Sequence, residues 1–305
     1  MKKGRIRYEL YILIQSVVYG FGNPLTKVAY QSITPLYLLA VRFGLAALVL
    51  FVPFHKRILA AARKTPVRIW LPSSLCCAGA YISCNFALNL TTATNVGFIM
   101  SLPVLFTPVL SAFVLGRRYE IRRLPIQLFA ILGVFLLCCN GGVFRFGAGE
   151  LLALVDACCL AGQLVFGERA MKEMDVFDIT ALQILITAVI SIVSAPLTGS
   201  PLTLAEAEPA AWMTAVYLAL VCTIFAYLIQ NSAVTHLSSQ TVSMLQCTQP
   251  ILTAVFSFFL LHETLSLIGF AGGVVIVGSL LLDSRAEGAQ QEALQEADSK
   301  NDKRN

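Results

Sequence analysis

The sequence predicts an all-α integral membrane protein: ten transmembrane helices forming two inverted five-helix repeats, with the N- and C-termini both in the cytoplasm. Three observations predict it. Of 305 residues, 57% are hydrophobic and 13% charged, where a soluble domain carries about 25% charged, and the mean hydropathy is +0.76. The Lys and Arg residues collect in alternate connections between apolar runs. A polar-spotted stretch in the first half also returns, nearly in register, in the second.

The apolar runs are taken first. A bilayer core needs about 20 helical residues, and cutting the chain at charges, Gly/Pro clusters and polar breaks gives spans 9–30, 35–54, 69–90, 94–115, 124–140, 148–168, 177–197, 210–231, 239–261 and 265–283. The first follows Lys2, Lys3, Arg5 and Arg7 as a signal peptide would, but it is long and more spans follow at once, so it is read as an uncleaved helix. A basic connection joins His55 to Arg68 and an acidic one joins Gly199 to Pro209. Residues 284–305 have no apolar stripe and are expected to be a disordered cytoplasmic tail.

Basic residues fix the orientation, since short loops rich in Lys and Arg stay in the cytoplasm. With the N-terminus inside, nineteen of the 22 Lys and Arg residues fall on the cytoplasmic side. Arg145 alone lies in an outer loop, and Lys27 and Arg42 stand within spans.

The repeat is clearest from Tyr81 to Pro103 and from Tyr227 to Pro250. Tyr81, Asn85 and Ala87 return as Tyr227, Asn231 and Ala233, each at an offset of 146 residues. This lays span 3 on span 8 and span 4 on span 9. Because five is odd, the second unit (141–283) must lie upside down against the first (1–140), and matching loops should differ in charge. The basic loop from His55 matches the loop holding Glu206 and Glu208, and Arg117-Arg118 matches His262-Glu263. Inverted repeats of this kind place a binding site near the middle of the bilayer, between the halves.

Several motifs then combine. Tyr19-Gly20-Phe21-Gly22-Asn23-Pro24 with Lys27, Arg42 early in span 2, Thr91-Thr92-Ala93 before a proline-bearing span 4, and Gln249-Pro250 running to His262-Glu263 and on to Gly269–Gly278 resemble the EamA-type group of the drug/metabolite transporter superfamily. The resemblance covers 9–283 and rests on the order of the motifs. It implies a multi-pass transporter of the inner (plasma) membrane, often an exporter of amino acids or related metabolites, with a central cavity and alternating access. Arg117-Arg118 departs from the family's Glu after span 4, which reads as orientation control.

The residues themselves nominate a site. Lys27, Arg42 and Asp156 are charges inside spans, where each needs a partner or a water-filled cavity. At about 1.5 Å per residue, Arg42 lies roughly 10 Å and Asp156 roughly 12 Å below the outer ends of their spans. The two are therefore expected to approach each other or to face one cavity. Asp156 is either a proton carrier or half of a static ion pair with Arg42, and Lys27 either joins them or snorkels to the headgroups. The substrate cage is read as Tyr19, Asn23, Arg42, Tyr81, Asn85, Asn89, Tyr227, Asn231, Gln246 and Gln249, with Tyr81/Asn85 facing Tyr227/Asn231; hydrogen bonding between helices is the other use of such side chains. Pro24, Pro103, Pro108 and Pro250 are expected to kink helices. The G-x-x-x-G from Gly269 predicts close packing on span 5.

Other classes find little support. Nine cysteines lie in apolar runs with no C-x-x-C, and His55, His236 and His262 are scattered, so no metal and no cofactor is implied. No basic arm with interleaved aromatics points to nucleic acid, and no H-E-x-x-H, G-x-S-x-G or G-x-x-x-x-G-K-[ST] points to catalysis. The partners are a small-molecule substrate and the lipid bilayer, and a homodimer is compatible with the sequence. An intramembrane enzyme acting on a lipid-linked substrate, and a channel or adaptor, are the alternatives to a carrier.

Overall fold

The computed structural model describes residues 2–91, 96, 98–117, 121–139, 147–198, 207–261 and 266–283. Those residues are helical throughout, with no strand among them. The expectations for Thr92-Ala93, Arg118, Arg145, the acidic loop through Glu206, His262-Glu263 and the tail lie outside the described residues, as does the side chain of Asn89.

The helices are α1 (Lys2–Ala29), α2 (Pro35–Lys64), α3 (Val67–Leu90), α4 (Pro103–Leu115), α5 (Leu124–Cys139), α6 (Ala148–Ala170), α7 (Val176–Ser194), α8 (Pro209–Val234), α9a (Ser239–Gln246), α9b (Gln249–Leu261) and α10 (Leu267–Asp283). Among the described residues, five segments are long and apolar enough to cross a membrane: α2, α6, α7, α8 and the Ser239–Leu260 stretch of α9; α4 and α10 are shorter apolar helices. Polar side chains are buried among the apolar core residues, while large apolar side chains face outward. Phe113, Val193, Met213 and Leu267 are each at least 70% exposed, whereas Gln15, Ser73, Gln183 and Thr187 are buried. In lipid this is the stable arrangement, because polar side chains can find partners only within the bundle.

Local chemistry sets the helix ends. Proline, whose missing N–H costs nothing in a first turn, opens α2, α4 and α8. Asp175 caps α7 by accepting from Phe177 N at 2.9 Å, and Ser238 caps α9a by accepting from Thr241 N at 3.1 Å. Gly116, with φ 66°, ends α4 in the left-handed conformation that glycine adopts without strain.

Two expectations are corrected here. The basic stretch from His55 is not a loop: α2 runs on to Lys64, because Leu59-Ala60-Ala61-Ala62-Arg63-Lys64 are strong helix formers and only Pro66 stops them. Pro103 and Pro250 stand at helix starts, while Pro24 and Pro108 lie inside helices. The break in span 9 falls earlier, at Cys247-Thr248.

Packing is reciprocal between the two halves. α3 and α4 both pack on α6, and α8 and α9 both pack on α1, while α2 lies along α7. α5 meets α10 through glycines. A Cβ on Gly272 would come within 2.5 Å of Gly133 O, and one on Gly273 would meet nothing within 4 Å. The close-packing residue is therefore Gly272, which the G-x-x-x-G spacing passes over.

Candidate functional site

Arg42 is placed by the buried stripe of α2, which includes Leu38, Leu39, Phe43 and Ala46 and packs on α7 and α8. The guanidinium meets an irregular part of α8. From Leu218 to Phe225 that helix widens to a π-helix, and the Thr223 hydroxyl donates to Leu218 O at 2.9 Å, five residues back. Such bulges leave main-chain carbonyls open to other donors. Arg42 Nε donates to Thr223 Oγ1 at 2.7 Å, and Nη2 makes long contacts of 3.4 Å with both Cys222 O and the Tyr81 hydroxyl.

Aromatic rings enclose the charge. Arg42 Cζ lies 5.1 Å from the Tyr81 ring centroid and 5.4 Å from that of Phe43, within cation–π range. Tyr19 lies against Tyr81 and Arg42. Tyr227 faces Tyr81 with ring centroids 6.5 Å apart, and its hydroxyl lies 3.4 Å from Cys77 Sγ. Tyr19, Tyr81 and Tyr227 thus gather around Arg42 from α1, α3 and α8.

The glycine-bearing motif of α1 makes this possible. A Cβ on Gly20 would sit 2.7 Å from Leu252 Cβ, and one on Gly22 would sit 2.8 Å from Cys222 Sγ. Both positions allow α1 to wedge between α9b and the π-helical turn. Asn23 bonds Thr253 at 3.0 Å on the exposed side of that contact, away from the arginine cluster.

The asparagines do not meet as the tyrosines do. Asn85 accepts from the Tyr30 hydroxyl at 3.0 Å and donates to Tyr81 O at 2.7 Å. Asn231 turns to α7 and donates to Thr180 Oγ1 at 2.8 Å and Gln183 Oε1 at 3.0 Å. Gln183 donates to Ser73 Oγ at 2.6 Å, which donates to Gln163 O at 3.1 Å. This chain ties α8, α7, α3 and α6 together and engages the Asn231 amide N–H groups in packing.

Arg42 and Asp156 form no ion pair among the described residues: the guanidinium donors go to Thr223 and Cys222 of α8 and to Tyr81 of α3, and Asp156 lies beside Cys84 of α3. Asp156 is 1% exposed, and its Oδ2 has no hydrogen-bond partner. Lys27 is exposed in the last turn of α1. Gln246 joins Gln15 and Gln230 in a separate cluster, while Gln249, partly buried, opens α9b.

Sequence reasoning missed Thr223, Cys222, Tyr30, Gln15 and Gln230. The glutamines and Thr223 did carry a signal, since each is a polar side chain in an apolar run. The π-helical turn carried none.

Residues 6–139 and 147–284 each match the EamA-like transporter family. An uncharacterised transporter of Archaeoglobus fulgidus is 28% identical over 285 residues, covering 90% of this chain and 96% of the relative. A probable amino-acid metabolite efflux pump of Escherichia coli is 25% identical over 282 residues, covering 89% and 92%. A solved crystal structure superposes with a TM-score of 0.77 at 20% identity, covering 92% of this chain and 99% of the other, a likeness of fold. With both halves matched and a bundle that is apolar on its outside, the chain belongs to the EamA-like transporter family of membrane proteins.

Proposed function

We propose that this protein exports small carboxylated metabolites of the amino-acid class by alternating access, with Arg42 holding the substrate carboxylate. One observation carries the proposal: among the described residues Arg42 is buried with no carboxylate partner, and its hydrogen bonds run through Nε and Nη2. A buried cation with no counter-ion costs several kcal/mol in a membrane interior. A substrate carboxylate removes that cost through charge-assisted bonds. The faces of Tyr19, Tyr81 and Tyr227 are suited to an ammonium group beside it. The efflux-pump relative supports both the substrate class and the direction.

The carrier has ten spans in two inverted repeats, 1–140 and 141–283, with both termini in the cytoplasm and the inner (plasma) membrane as its location. The loop charges support this orientation. The reciprocal packing supports the repeats, because exchanging the halves turns the α3–α6 contact into α8–α1 and leaves α2–α7 unchanged. Asp156, buried with an unpartnered oxygen beside α3, is the group through which proton movement couples to transport.

Counterflow in proteoliposomes tests the proposal. Vesicles loaded with an unlabelled amino acid should accumulate the labelled one, and Arg42→Gln should abolish this. Undiminished exchange in Arg42→Gln, or selection of substrates lacking an anionic group, would rule it out.

A further inference from the structure

Beside the arginine cluster, one helical turn toward the N-terminal end of α1, three glutamines from three helices meet. Gln15 stands four residues before Tyr19 on α1, and Gln230 three residues after Tyr227 on α8, so each lies on the same face as its tyrosine. Gln15 Nε2 donates to Gln230 Oε1, and Gln246 Nε2 of α9a reaches Gln230 Oε1 at 3.1 Å and Gln15 Oε1 at 3.3 Å. Gln15 and Gln230 are buried, and Gln246 is partly exposed.

The bonding is incomplete. Each amide offers two N–H groups and a carbonyl with two lone pairs. Within the cluster, Gln230 Nε2 and Gln246 Oε1 have no hydrogen bond among the described residues. A pair of amides is enough to hold membrane helices together; here one donor and one acceptor of the three amides remain open among the described residues. They are complementary to a ligand group that both accepts and donates.

The spacing gives that group a place in the substrate. Three to four residues along a helix span about 4.5–6 Å. An α-amino acid held at Arg42 by its carboxylate keeps its ammonium among the tyrosines and extends its side chain over that distance. We infer that Gln15, Gln230 and Gln246 form the side-chain subsite of the transporter and select side chains ending in an uncharged donor–acceptor group, a carboxamide above all. An apolar end leaves both open atoms unpaired, and a charged end meets no counter-ion among the three amides. This inference rests on the reading that Arg42 binds the carboxylate.

The test is counterflow of labelled glutamine and leucine by the full chain in proteoliposomes, for the wild type, Arg42→Gln, Gln230→Met and Gln246→Met. The wild type should favour glutamine over leucine by about tenfold in kcat/KM, as one added hydrogen bond allows, and each Met variant should bring that ratio close to one. Parity in the wild type overturns the subsite, and so does a ratio unchanged in both Met variants, the outcome of a purely structural role, since that would slow both substrates alike. Either result leaves the Arg42 reading intact. Exchange undiminished in Arg42→Gln overturns that reading, and absence of exchange of either substrate in the wild type overturns both.

Discussion

Arg42 Nε and Thr223 Oγ1 lie 2.7 Å apart, and the same hydroxyl donates back to Leu218 O across the π-helical turn. The hydroxyl thus serves two elements at once, orienting the buried charge of α2 and closing the irregular turn of α8. Thr223→Val keeps the shape and removes both bonds. A hydrogen bond to a charged group contributes about 1.5–3 kcal/mol, so kcat/KM should fall by about tenfold or more. Arg42→Gln should lower it by at least about a hundredfold, because the substrate carboxylate is then buried without a cation. Counterflow kinetics of the two variants check the order.

Asp156→Asn should separate exchange from coupling. Counterflow at equal pH on both sides moves no net proton and should persist in the variant. Accumulation driven by a pH gradient should disappear. Gradient-driven accumulation matching the wild type would remove Asp156 from the coupling role and leave it as a packing residue beside Cys84.

The α5–α10 contact predicts an asymmetry between adjacent glycines. Gly272→Ala places a methyl about 2.5 Å from Gly133 O and Leu137 N, and overpacking of this kind costs about 1–3 kcal/mol. Gly273→Ala, with nothing within 4 Å, should be neutral or stabilise by up to about 1 kcal/mol, since alanine favours a helix interior over glycine. Thermal aggregation of the detergent-solubilised chain, followed by size-exclusion chromatography, distinguishes the two.

Glu168 ties three helices at one end of the bundle. It accepts from Arg117 through both carboxylate oxygens, with Nη1 to Oε2 at 3.0 Å, and from Ser239 N at 3.0 Å. Glu168→Ala should destabilise by about 1–3 kcal/mol, the range for a part-exposed charged bond. The exchange Arg117→Glu with Glu168→Arg should restore only part of the loss, because Ser239 N–H then has no acceptor. Full recovery in a melting experiment would show that the ion pair alone matters.

Much of this was legible in the sequence because lipid simplifies the problem. Polar side chains inside apolar runs stand out, so Arg42, Tyr81 and Tyr227 are legible from the sequence without their contacts. What the sequence hid was the partner of each. The π-helical turn that receives Arg42 arises where α8 packs around α1 and α2, and nothing between Leu218 and Phe225 marks it. Asn85 and Asn231 occupy matching repeat positions yet find different partners, Tyr30 just after α1 and Thr180 and Gln183 of α7. The basic run after His55 read as a loop because charge ends a membrane span, but charge does not end a helix.

That last point has a mechanical side. The 30 residues of α2 extend roughly 45 Å, longer than the roughly 30 Å of a bilayer core. Its projecting end is pinned by Arg57, which bonds Asp175 and Asp178 of α7 at 2.9 Å each. Arg42 and Arg57 stand on the same helix, about 22 Å apart by helical rise, with Pro53 between them. A tilt of about 10° at Arg42 would sweep Arg57 through about 4 Å over that length, enough to strain or release both bonds. On the proposal that Arg42 holds the substrate, α2 connects that site to the Arg57 pair with Asp175 and Asp178 at its far end. On that proposal, a fluorophore beside Arg57 should change its emission when substrate is added.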